Sequence, residues 1–252
     1  MVPPDQHGDQ VLTEFAMDVR GTSGLLLVDW QTDRFANRVC RVAAEHVESA
    51  VDFEACFRVQ RVPHLSAPPV DLAIAGALTR FTPLTYANER IRQAARTIAQ
   101  RSSVVEERVQ LAHEWTASSI SYEVGVTSTQ TPAAMALHLG QGVCQDYAHI
   151  MLSVLRALGI AGRYVSGHLL GEGAPHAWVE ALVMTHETGE VRAVGCDPTH
   201  RCDIGPDYIV VATGRDFADV TSTSGVFTGA ALGKLHWSKY ASRIDEAVDS
   251  AA

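Results

Sequence analysis

Apolar positions are spaced differently in the two parts of the chain. Up to about residue 80, short runs rich in β-branched and aromatic residues are separated by turn formers. Val11–Val19, Leu25–Trp30, Asn37–Val47 and Phe53–Val62 are the runs, with Gly21-Thr22-Ser23-Gly24 and Gln31-Thr32-Asp33 between them, and these predict strands. Alternation is sharpest in Phe53-Glu54-Ala55-Cys56-Phe57-Arg58-Val59, which predicts a sheet with one solvated face. Pro63–Pro69, with its three prolines, reads as a connection.

From about Thr82 the period becomes helical. Asn88 is placed to cap a helix over Glu89–Gln100, where Ile91, Ala94, Ala95 and Ile98 form one stripe. A second helix is predicted over Val104–Ile120, burying Val105, Val109, Ala112 and Trp115, with Ser102 or Ser103 as its cap. Thr131-Pro132 reads as the cap and first residue of a short helix ending at Leu139. In Cys144–Leu158, residues Tyr147, Ala148, Met151, Leu152, Leu155 and Leu158 give one apolar face, and Gly159 stops the helix. Strands are predicted at Arg163–Leu170, His176–Met184 and Val191–Cys196, with a hairpin at Gly171-Glu172-Gly173. Helices followed by strands imply an α+β fold, a helix packed on an antiparallel sheet. A β-rich domain over residues 1–80 is expected to precede it, the α+β domain filling 81–252. Arg243–Ala252 is a polar, alanine-rich tail that should fray.

Composition narrows the partners. Hydrophobic residues make up 46% of the 252 positions and charged ones 19%, the balance of a globular chain. The net charge of −9, with no basic block, argues against nucleic acid and anionic membranes as partners. No apolar run approaches the length of a membrane span. The opening Met1-Val2-Pro3-Pro4-Asp5-Gln6-His7-Gly8-Asp9 has neither the basic nor the apolar region of a secretory signal. Five cysteines without framework spacing fit a reducing compartment, so a cytoplasmic location is expected. The sequence does not specify the oligomeric state.

Cys144 is the position where chemistry gathers. It follows Gly140-Gln141-Gly142-Val143 and opens the predicted helix. A thiol there meets unpaired backbone N–H groups and the positive end of the helix dipole, both of which favour thiolate. Gly142 suits a sharp turn into the helix and leaves room for a substrate, and the backbone N–H of Cys144 is placed to stabilise an oxyanion. His176 follows a Gly/Pro-rich loop and heads an apolar strand, which puts its ring at a sheet edge facing a cleft. Asp197 precedes Pro198, which holds its backbone extended. Its carboxylate is suited to accept an imidazole N–H and favour the charged ring, although Asp-Pro is equally a turn signal.

Cys40, Cys56, Cys196 and Cys202 lack such a setting and read as ordinary small hydrophobes. Cys196, His200 and Cys202 have metal-binding chemistry but lack a fourth ligand and tight pairing, so no metal and no cofactor are expected. His149, five residues after Cys144, is turned away from the thiol on a helix and reads as a structural hydrogen-bonding group. Trp178 and Tyr164 read as core or cleft-wall aromatics.

Several runs resemble the bacterial transglutaminase-like superfamily, which has a papain-related fold. They are Gly142-Val143-Cys144-Gln145-Asp146-Tyr147-Ala148-His149, Leu155-Arg156-Ala157-Leu158-Gly159-Ile160, Arg163-Tyr164-Val165-Ser166-Gly167, His176-Ala177-Trp178-Val179-Glu180 and Asp197-Pro198-Thr199. Val211-Ala212-Thr213-Gly214-Arg215-Asp216-Phe217-Ala218-Asp219-Val220 is similar to the segment after the triad. The resemblance covers about residues 80–230. It implies Cys144 as nucleophile, His176 as base and Asp197 as orienting acid, with Tyr122 as an oxyanion donor beside the nucleophile's N–H. It also implies a β-rich N-terminal domain. Asp33-Arg34-Phe35-Ala36-Asn37 resembles that domain's Asp-x-x-Gly-Asn turn with Ala36 in place of glycine, and His200 stands where many relatives carry Asn.

These readings imply a cysteine acyl-transfer enzyme acting on peptide or carboxamide bonds through a thioester, with a peptide or protein as substrate. Water as acceptor makes it an amidase or protease, an amine makes it a transglutaminase, and hydrolysis is the expectation. A non-catalytic binding or scaffolding module on the same fold is the alternative. No loop offers the clustered carboxylates of a calcium site. Specificity is expected from the loops Glu123–Gln130 and Gly171–Pro175.

Overall fold

The computed structural model describes residues 2–62, 72–184, 189–221, 223–229 and 233–244. Its first part is made of strands β1 (Gln10–Thr22), β2 (Leu26–Thr32), β3 (Arg38–Ala44) and β4 (Val47–Arg61). β1 and β4 form a long antiparallel ribbon, and β2 and β3 form a hairpin inserted between them in sequence. Each expected strand is present. The alternating residues around Phe53 lie in β4, but Phe53 itself is exposed; with only two strands per sheet, neither face gains a full covering layer. The expected connection Pro63–Pro69 lies outside the described residues.

Helices α1 (Leu72–Leu78), α2 (Glu89–Arg101), α3 (Val105–Ser119), α4 (Ala133–Leu139) and α5 (Cys144–Ala157) follow. Strand β5 (Ser121–Tyr122) precedes α4, and β6 (Gln141–Gly142) precedes α5. The rest of the sheet is β7 (Ala161–Leu169), β8 (His176–Met184), β9 (Val191–Asp197), β10 (Cys202–Asp203) and β11 (Tyr208–Gly214). Five strands pair antiparallel in the order β10-β9-β8-β7-β11, which is the expected α+β architecture.

Local chemistry sets most helix ends. Asn88 Oδ1 accepts the Ile91 N–H at 3.0 Å, so α2 is capped as expected. The cap of α3 is Val104, without a side-chain bond. Ser102 instead accepts the Val104 N–H and donates to Glu107, stabilising the turn before the helix rather than its first residue. Pro132, not Thr131, caps α4. The sequence pattern does not announce helix α1, strand β11 or the two-residue strands β5, β6 and β10: Leu-Ala-Ile-Ala-Gly-Ala-Leu is apolar all round and has no helical stripe, while β11 overlaps only the start of the Val211–Val220 run.

Helix α5 is the centre of the molecule. The expectation of one apolar face is too narrow, because every residue from Gln145 to Arg156 is buried. Ile150, Met151, Val154 and Leu155 pack with Val179, Ala181 and Val183 of β8 and with Ile91 and Val109 of α2 and α3. Two of its buried polar residues are tied in closely: Ser153 donates to Thr85 and His149 carbonyls, and the Arg156 guanidinium donates to Thr85 Oγ1 and to the carbonyls of Leu78 and Arg215. Such a helix has little freedom to shift, which fixes the residue at its start. Val165, Trp178, Tyr208 and Val210 form a second, smaller cluster.

The N-terminal strands reach the sheet through side-chain amides. Gln10 Nε2 donates to the Val210 carbonyl and Gln10 Oε1 accepts the Val210 N–H, both at 2.8 Å. Asn37 makes the same pair of bonds with Thr213. Both act on β11, the edge strand, and so supply hydrogen bonds that a sixth strand would otherwise provide.

Candidate active site

Cys144 is the first residue of α5, as the sequence predicts. The turn into the helix depends on Gly142 and Asp146. Asp146 Oδ2 accepts the Val143 N–H at 2.8 Å and the Thr127 hydroxyl at 2.6 Å. A Cβ on Gly142 would lie 2.7 Å from Asp146 Cβ and Oδ2, so glycine is required for the carboxylate to close over the turn. The Asp146 carboxyl titrates above its ordinary range because it is buried.

His176 opens β8 and is buried. The expectation of a sheet edge is corrected here: β8 is an interior strand with β7 and β9 on either side, and His176 reaches the cleft because it stands at the strand's end. Its Nε2 lies 2.7 Å from Asp197 Oδ2. A carboxylate only accepts, so this nitrogen carries the proton. Burial alone would push the His176 ring down, but Asp197 and the Cys144 sulfur outweigh it and raise it to about 10, favouring imidazolium.

Asp197 ends β9 and is fully buried. Burial would raise its carboxyl, yet the bonds from His176, His200 and Tyr208 hold it far below the usual range. Its Oδ2 receives His176 Nε2 at 2.7 Å, His200 Nδ1 at 2.7 Å and the Tyr208 hydroxyl at 2.8 Å. Oδ1 accepts the backbone N–H groups of Thr199 and His200 at 2.9 and 3.3 Å. Oδ1 thus closes the turn after Asp197, and Oδ2 meets the His176 ring.

Tyr122 pairs with Gly142 across β5 and β6, on the chain segment that leads into Cys144. Its phenol titrates above its ordinary value through burial, and then through the charges of Cys144 and Glu172. His149 is buried within α5 and its Nε2 accepts the Phe217 N–H at 3.2 Å. Burial, with Arg156 adding, lowers it to about 3, so it is a neutral structural histidine. Burial drives the Cys196 thiol up to about 12, in keeping with an inert role.

Glu172, in the expected hairpin Gly171-Glu172-Gly173, carries no local signal of a role, yet it meets the rings of both His176 and His200. Its Oε2 lies 3.5 Å from His176 Nδ1 and its Oε1 lies 3.1 Å from His200 Nε2. Cys196, His200 and Cys202 do not converge. Among the described residues, Cys196 groups with His113 and Asp203, whereas His200 groups with Glu172 and His176.

Residues 92–190 match the core of the transglutaminase-like superfamily, a stretch that includes Cys144 and His176 and stops before Asp197. This stretch is similar to the transglutaminase-like superfamily. A provisionally named cysteine protease from Cytophaga hutchinsonii shares its fold, with a TM-score of 0.66, 20% identity, and coverage of 86% of this chain and 76% of that one. An uncharacterised protein of Mycobacterium leprae (strain TN) is 37% identical over 161 residues, covering 60% of this chain and 54% of its own. An uncharacterised protein of Mycobacterium bovis is 37% identical over 121 residues, covering 43% of this chain and 38% of its own. The chain thus spans about half or less of the curated relatives it matches. No helix among the described residues is long and apolar enough to cross a membrane.

Proposed function

We propose that this transglutaminase-like protein is a cysteine acyl-transfer enzyme, with Cys144 as nucleophile, His176 as acid and base, and Asp197 as the group that orients His176. The observation that carries this reading is the 2.7 Å contact of His176 Nε2 with Asp197 Oδ2, with Cys144 a further group that favours the charged ring. The Cys144 thiolate attacks a peptide or carboxamide carbonyl. The oxyanion draws on first-turn N–H groups of α5, which lack helical partners, and on the Tyr122 hydroxyl. The C–N bond breaks as the His176 imidazolium gives its proton to the leaving nitrogen, which leaves a thioester on Cys144.

Hydrolysis completes the reaction in this reading. Tyr122, at the mouth of the site, is 55% exposed, so water has access to the thioester. His176 takes a proton from that water, the S–C bond breaks, and the acid leaves. An amine in place of water gives transglutamination. The substrate is a peptide or protein, with no nucleic acid or membrane partner. The free thiols of Cys56, Cys144, Cys196 and Cys202 are consistent with a reducing, cytoplasmic setting.

The test offers a glutamine-containing peptide with and without hydroxylamine. Free acid or a cleaved peptide in both supports hydrolysis, while hydroxamate formation supports transfer. Iodoacetamide labelling against pH tests the step before it. Alkylation of Cys144 with an ordinary thiol profile, no faster than Cys56, would overturn the activated-thiolate reading.

A further inference from the structure

Glu172, His176 and His200 bring their ligating atoms within 4.8 Å of one another. The two rings are held alike. His176 gives Nε2 and His200 gives Nδ1 to the same oxygen, Asp197 Oδ2, each at 2.7 Å. Those nitrogens carry protons, because a carboxylate only accepts. The nitrogens left to bind a ligand are His176 Nδ1 and His200 Nε2, and both face Glu172, at 3.5 and 3.1 Å.

Two imidazoles oriented by a carboxylate behind them, with a second carboxylate facing their free nitrogens, is the donor arrangement of a zinc site. Bonds of about 2.0–2.1 Å in a tetrahedron need donors roughly 3.3–3.4 Å apart; each ring nitrogen already lies near that distance from one Glu172 oxygen, and the three donors lie within 4.8 Å of one another. The other cluster with ligating chemistry, His113, Cys196 and Asp203, is poorer. His113 Nε2 is already 3.0 Å from the Asp197 carbonyl, and the buried Cys196 thiol resists deprotonation.

We propose that Glu172, His176 and His200 form a binding site for a zinc-like divalent cation, and that occupying it takes His176 Nδ1 away from Cys144 and silences the thiol. The cation binds the Nδ1 lone pair, and the proton that Nδ1 held leaves to solvent. The fourth position is left to water. Silencing rests on the acyl-transfer reading, whereas binding does not.

The test uses the full chain washed with EDTA. Zn²⁺ is titrated by calorimetry and Co²⁺ by its visible absorption, and the alkylation rate of Cys144 is measured with and without Zn²⁺. One ion per chain is expected, with tetrahedral Co²⁺ bands. Glu172→Gln and His200→Gln should each weaken binding at least about tenfold, while His113→Ala leaves it unchanged. Zn²⁺ should slow alkylation of Cys144 but not of Cys56, and Ca²⁺ should do neither. Glu172 lies in a loop and is partly exposed, so its variant keeps the fold, which circular dichroism checks. Absence of stoichiometric binding overturns the site, as does undiminished binding in both cluster variants or its loss in His113→Ala. Slow alkylation in the metal-free protein would count against the acyl-transfer reading, and the calorimetric titration would still decide the site.

Discussion

His176 and Asp197 are joined by a 2.7 Å contact between two buried groups, and Asp197 offers that same oxygen to His200 and Tyr208. Removing the charge while keeping the shape should therefore disturb His176 without emptying the pocket. Asp197→Asn is expected to lower kcat by about 10³–10⁴ and to move the alkylation profile of Cys144 to higher pH. Turnover and iodoacetamide kinetics check this, and a variant that behaves like wild type in both removes Asp197 from the mechanism.

Tyr122→Phe should lower kcat about 10²-fold with little change in KM, because an oxyanion donor acts on charge that develops after binding. The exposed ring carries little packing, so the melting temperature should hold. Steady-state kinetics separate the two parameters; a rise in KM alone would make Tyr122 a binding residue.

The edge-strand clasp yields a stability prediction. Asp33 Oδ1 accepts the Phe35 and Asn37 N–H groups, and Oδ2 accepts from Asn37 Nδ2, which aims Asn37 at Thr213. The turn forces Ala36 to a φ of 65°. A left-handed alanine costs roughly 1–2 kcal/mol, partly offset by the smaller chain entropy that alanine loses on folding, about 0.4–1 kcal/mol. Ala36→Gly should stabilise the protein by about 0.5–1 kcal/mol. Urea denaturation measures it, and a destabilised glycine variant would contradict the strain argument.

Glu180 links folding to acid pH. Burial pushes its carboxyl up, but Arg163 at 2.6 Å and His7 at 2.9 Å overcome this and hold it at about 2. A lowered folded pKa means the unfolded chain binds the proton more readily. Its stabilisation is therefore complete above the unfolded value, near 4.3, and is lost as pH falls through about 2. Wild type should lose melting temperature between pH 5 and pH 2.5 more steeply than Glu180→Gln. Parallel curves would remove Glu180 as the cause.

Much of the site was legible because its parts are announced locally. Two glycines before a helical period placed Cys144 at a helix start, a Gly/Pro loop before an apolar run placed His176 at a strand start, and Asp-Pro placed Asp197 at a strand end. Glu172 had no such signal: flanked by glycines, it reads as a turn. His200 drew notice only as a residue standing in place of Asn. The interior position of β8 was equally hidden, since a strand's own pattern does not reveal how many neighbours it has.

The sequence by itself determined the α+β class, the longer helices and strands, and the places of Cys144, His176 and Asp197 at element ends, because periodicity and turn chemistry act over a few residues. Only the tertiary structure decided what surrounds them. The registers of β7 on β8 and β8 on β9 bring the Glu172 hairpin and the turn carrying His200 to one end of the sheet. Those contacts join residues of different loops through hydrogen-bond ladders, and no local pattern encodes that distance.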